Sequence, residues 1–222
     1  MKKILSYCIA LALLFLNAGV LNAASTVNLS TTATVPSSTP ELSVIVLQID
    51  DGDPDSNPWT GSTTVTSLGF GPLRNTFDDG TGAGIWFAKR YFAAMIFTQP
   101  FGKPYNVNST SAGVTSGVNR LPDASFVLAP GYAAQDEFSP GSPQGAMPSG
   151  ASLGTKASAV ATNKLVYSSE IGTATGRIIR AFYSVPPLNA NGSLPYPDWS
   201  GIPLTQPSGS YTGTATLTIT LK

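Results

Sequence analysis

The sequence predicts an all-β fold, an antiparallel β-sandwich, on three observations. Its apolar runs are short, rich in Val, Ile, Thr, Tyr and Phe, and bounded by Gly, Pro, Asn or Asp, as half-buried strands and their turns require. Its last stretch, GSYTGTATLTITLK, alternates apolar residues with threonine. That two-residue period gives a strand with one buried and one wet face. Helix signals are scarce, and turn residues recur at intervals that suit many short strands. Nine such strands in one chain fit a sandwich.

The elements follow in chain order. Lys2 and Lys3 precede a mostly apolar stretch from Ile4 to Val20, and Leu21, Asn22, Ala23 and Ala24 offer small residues for cleavage. Residues 1–23 therefore read as a secretory signal peptide, and 24–222 as a single sandwich domain. The short apolar core and the polar segment after it argue against a retained anchor, so the mature chain is expected to carry no membrane span. Strands are expected at 26–35, 42–49, 63–70, 85–98, 105–110, 125–128, 164–168, 177–185 and 211–221. Turns fall at Pro36 and Pro40, 51–58, 78–84, 100–104 and 186–207. The stretch IWFAKRYFAAMIF at 85–97 holds good helix formers. Its Trp, Tyr, Phe and Ile density and the absence of an N-cap residue favour strand. Residues 139–163 are mostly Ser, Gly, Ala and Pro; with few large apolar groups to bury, they are expected to form a flexible loop.

Composition excludes several functions. Of 222 residues only 11% are charged, against a usual quarter. Without the leader, ten basic and twelve acidic residues remain, a net charge of −2. No basic stripe exists to displace counterions, so nucleic acid is not an expected partner. The one cysteine, Cys8, lies in the leader, and there is no histidine. The mature chain thus has no disulfide, no thiolate metal site and no imidazole base.

Three groups of residues are candidates for chemistry. Asp51, Asp53 and Asp55 alternate in DDGDPD as the first ligands of a calcium loop do, and calcium takes several hard oxygens. Ser56 stands where such a loop has glycine, and Ser62 where it has a closing glutamate. A solvated acidic turn is the other reading. Trp59, Tyr196 and Trp199 sit in Pro-rich loops, where aromatic faces can stack on the rings of a carbohydrate. Their other role is to cover the ends of the core; Trp86, in a dense apolar strand, reads as core. Catalysis is not expected: Glu137, Glu170 and the aspartates are unpaired in sequence, Ser152 and Lys156 lie in the expected loop, and no Gly-x-Ser-x-Gly elbow occurs.

Several stretches together resemble fimbrial and spore-coat-U-like subunits. They are TSLGFGPL, with Leu68, Phe70 and Gly71; LVYSS with Tyr167; RIIRAFYSVPP; and the closing PSGSYTGTATLTITL. The resemblance covers the two ends of the chain. It implies an immunoglobulin-like sandwich, secreted and often assembled on the cell surface. The paired cysteines usual in that group are absent here.

The expected function is therefore that of a non-catalytic, exported structural or adhesive surface subunit, secreted or held in the periplasm or at the cell surface. Its expected partners are copies of itself or a surface assembly. The alternative is a secreted carbohydrate-binding module. In fimbrial subunits an N-terminal extension is donated to the next subunit beside the C-terminal strand. Between the cleavage site and Pro36 there is room for only one strand of usual length. Residues 26–35 are therefore expected to pack within their own chain, in the same sandwich as 211–221.

Overall fold

The computed structural model describes residues 25–28, 41–50, 63–76, 84–88, 90–99, 103–132, 146–170, 177–186 and 200–222. Among these the chain forms β1 (Ser25–Asn28), β2 (Glu41–Asp50), β3 (Thr63–Val65), β4 (Arg74–Thr76), β5 (Ile85–Phe87) and β6 (Arg90–Gln99). There follow β7 (Tyr105–Ser111), β8 (Thr115–Ser116), β9 (Asn119–Arg120), a single 3-10 turn at Asp123–Ser125, and β10 (Val127–Tyr132). The last are β11 (Ser152–Leu153), β12 (Ala157–Ser158), β13 (Ala161–Ser168), β14 (Ile178–Ser184), β15 (Ile202–Pro203) and β16 (Ala215–Leu221).

Two sheets face each other. The first runs β1-β16-β7-β13-β11 and the second β12-β10-β14-β6-β2-β3. A small sheet β15-β5-β4 and the hairpin β8-β9 lie outside them. Every pairing in these sheets is antiparallel, so the fold is an all-β sandwich, as the alternation predicts. No helix of the described residues is long and apolar enough to cross a membrane.

The apolar cluster between the sheets takes alternate residues from each layer. β16 contributes Ala215, Leu217 and Ile219, β7 Tyr105 and Val107, β6 Phe92, Ala94 and Ile96, and β14 Ile179, Ala181 and Tyr183. On β13 both Val166 and Tyr167 are buried, because a register shift between Leu165 and Tyr167 turns two successive residues inward. The second sheet is apolar on its other face as well: Leu47 and Ile49 of β2 join Tyr91, Ala93 and Met95 of β6 in a separate buried cluster. That explains why β6 reads as a continuous apolar run and not an alternating one.

The terminal strand has a partner in its own chain. β16 lies between β7 and β1, and β1 pairs with it from Ser25 opposite Ile219 to Asn28 opposite Thr216. The first and last described strands thus meet in one sheet of one molecule. Beyond β16, Lys222 N–H donates to Pro104 O at 3.0 Å, and its ammonium donates to Ser169 O.

Two expectations are corrected. The stretch 85–98 is not one strand. It breaks after Phe87, and β5 turns away to pair with β4 and β15 while β6 enters the second sheet. The stretch 139–163 is not one loop. In its described part β11 pairs with β13 and β12 with β10, and Ala159 is fully buried. The reason lies at Gly154, where a Cβ would stand 1.7 Å from Leu165 O. Small residues here permit close backbone approach, which composition alone reads as looseness.

Candidate functional site

At one end of the sandwich two irregular segments and the small sheet enclose a cleft of about 730 Å³. The first, residues 67–73, follows β3. Phe70 anchors it, packing edge-on against Phe92 (centroids 5.1 Å apart) and Phe126 (6.1 Å), a favoured aromatic geometry. Arg90 Nη1 donates to Gly69 O at 3.3 Å, and Arg90 Nε lies 3.1 Å from Asp50 Oδ1, so the segment is tied to β2 and β6. Gly71, with φ +69°, holds a left-handed turn that a side chain would strain.

The second segment, 206–213, leads into β16. It is joined to β8 by reciprocal bonds between Thr115 and Thr212, each N–H donating to the other's carbonyl at 2.8 Å. Gln206 Nε2 donates to Arg120 O (3.1 Å) and to the Tyr211 hydroxyl (2.7 Å). The Tyr211 hydroxyl in turn donates to Pro207 O at 2.7 Å. At Gly213 a Cβ would stand 2.4 Å from Gly113 O, so glycine lets this segment lie against the turn after β7. The third wall is the small sheet, in which Trp86 of β5 pairs with Ile202 of β15 and Asn75 of β4.

The lining is aromatic at Phe70, Trp86, Phe126 and Tyr211, and aliphatic at Leu68, Leu73, Val114, Leu121, Val185 and Ile202. Serines 67, 208 and 210, Gln206 and Thr212 add uncharged polar groups. Among the described residues no Asp, Glu, Lys or Arg lines the cleft. Two stretches that carry the subunit resemblance, TSLGFGPL and PSGSYTG, are distant in sequence and form opposing walls of this one cavity. Sequence reasoning reads them as strand and terminus, not as a site. The glycines at 69, 71, 209 and 213 are the available signal, since glycine clusters mark segments that cannot continue a regular ladder. Trp86, expected in the core, is half-buried and faces the cleft.

Asp51, Asp53 and Asp55, the calcium candidates, lie outside the described residues, as do Trp59, Tyr196 and Trp199 and the leader with Cys8. Among the described residues no three His, Cys, Asp or Glu side chains gather as a metal site would. Ser152 is in β11 and Lys156 just before β12. Comparison with family models, with curated proteins and with solved structures finds no match to this chain.

Proposed function

We propose that this chain is a non-catalytic, exported subunit with a structural or adhesive role at the cell surface. The observation that carries the reading is the outward face of the first sheet. There β16 and β7 set Thr216 beside Thr110 and Thr218 beside Asn108, with Thr220 next in the row, all half-buried. The result is a regular, uncharged array of hydroxyl and amide groups on two long paired strands. Such a face hydrogen-bonds to a neighbour without the desolvation cost of stripping charges. A charge-poor composition and the resemblance to fimbrial and spore-coat-U-like subunits support the same reading, with copies of this chain or a surface assembly as partner.

The test combines location with assembly. Cell fractionation and N-terminal sequencing are expected to find the protein outside the cytoplasm, beginning at Ala24 or Ser25. Sedimentation velocity of the mature chain is expected to show self-association. A Thr216→Glu/Thr218→Glu variant, altered only on the outward face, should fold and remain monomeric through like-charge repulsion. A cytoplasmic protein retaining Met1 contradicts the proposal; a mature chain that stays monomeric at high concentration contradicts copies of this chain as the partner.

A further inference from the structure

We propose that the cleft between residues 67–73 and 206–213 binds an uncharged, predominantly apolar small molecule. A cavity of about 730 Å³ lies within the range of roughly 300–1,000 Å³ that accommodates drug-sized ligands. Phe70, Trp86 and Phe126 supply flat apolar surface, and Leu68 and Ile202 extend it. The lining formed by the described residues is uncharged and favours an uncharged ligand: an ion entering here loses water and meets no counter-charge among those residues, which is unfavourable. Polar contact is confined to a few fixed groups. Gln206 is held by Arg120 O and Tyr211, so it can orient a ligand without first losing side-chain freedom.

The walls are pinned in advance of any ligand. The Thr115–Thr212 bonds, the Gln206–Tyr211–Pro207 chain and the Arg90–Gly69 bond each fix one side. Such a preformed pocket binds more tightly than one that must be ordered on binding. This inference stands independently of the surface-subunit reading, since a monomer could carry the same site.

The experiment titrates the mature chain with N-phenyl-1-naphthylamine, a neutral apolar fluorophore excited by energy transfer from tryptophan. Saturable binding is expected. Trp86→Phe should reduce the energy transfer, because Trp86 lines the cleft. Gly69→Phe should weaken binding at least about tenfold, because Gly69 lines the cleft and a Cβ there meets nothing within 4 Å, so a ring is added to the lining without a backbone clash. Leu68→Asp should do the same by placing a charge in the lining, with circular dichroism verifying the fold of both variants. Should Leu68→Asp fail to fold, Gly69→Phe decides. Displacement by 1-decanol and not by decanoate is expected at equal concentration. Absence of saturable binding, binding unchanged in folded Gly69→Phe, or equal displacement by decanoate would overturn the proposal.

Discussion

Tyrosine hydroxyls cross the core of this protein. Tyr183 of one sheet and Ser109 of the other are hydrogen-bonded at 2.8 Å, and Tyr105 and Thr98 at 2.7 Å, with all four residues buried. Tyr183→Phe leaves the Ser109 hydroxyl without its partner in an apolar layer. It should destabilise by about 1–3 kcal/mol, the cost of an unsatisfied buried polar group, read from urea unfolding. The double variant Tyr183→Phe/Ser109→Ala should recover part of that loss, because both polar groups are then gone. Burial also pushes the Tyr183 and Tyr105 hydroxyls above the ordinary tyrosine range. The unfolded chain, whose tyrosines titrate near pH 10, releases these protons first. Stability should therefore be unaffected by these groups below about pH 10 and fall as pH rises beyond it, by up to about 1.4 kcal/mol per pH unit for each buried tyrosine. Tyr183→Phe should flatten that decline; an unchanged slope would show that Tyr183 does not contribute. None of these pairings is legible in the sequence. Tyr183 and Ser109 are 74 positions apart, and only the packing of two sheets brings them together.

At the scale of elements, legibility follows periodicity. β16 alternates cleanly, and its expected apolar residues Ala215, Leu217 and Ile219 are buried while Thr216, Thr218 and Thr220 are only half-buried. Leu217→Ala should therefore cost about 2–5 kcal/mol, and Thr218→Ala on the opposite face about 0.5 kcal/mol or less. The break between β5 and β6 is not legible. Both strands are apolar, so the run carries no turn signal, and the division comes from β5 pairing in a different sheet. The short strands β11 and β12 escape a reading of composition for the opposite reason: Ser, Gly and Ala look like loop when close backbone contact is what they serve. Gly154→Val is the check. A side chain there must displace the Leu165 carbonyl, and a destabilisation of about 1–3 kcal/mol is expected from overpacking. A neutral effect would return this stretch to the status of a loose connection.

At the scale of the whole molecule, a two-layer sandwich carries at one end a cleft that its described residues line without charge, and on one side a sheet face of threonine and asparagine. The cleft is not legible as a site in the sequence, because its walls come from residues 67–73 and 206–213, and only the fold brings them to one cavity. β1 and β16 close the same sheet within one molecule, so that the unit is complete before any assembly. Thr26 is directly opposite Thr218 in the β1–β16 ladder, where antiparallel partners lie about 4.5–5.5 Å apart between Cα atoms, within reach of a disulfide. Residues 24–222 contain no cysteine, so a Thr26→Cys/Thr218→Cys variant of that chain introduces the only pair. Oxidation followed by non-reducing electrophoresis and mass spectrometry of the linked peptides tests the claim directly. A single species at monomer mass with an internal disulfide is predicted; a ladder of covalent dimers and higher multimers, joined from position 26 of one chain to position 218 of the next, would show that the strand is exchanged between chains and would contradict it.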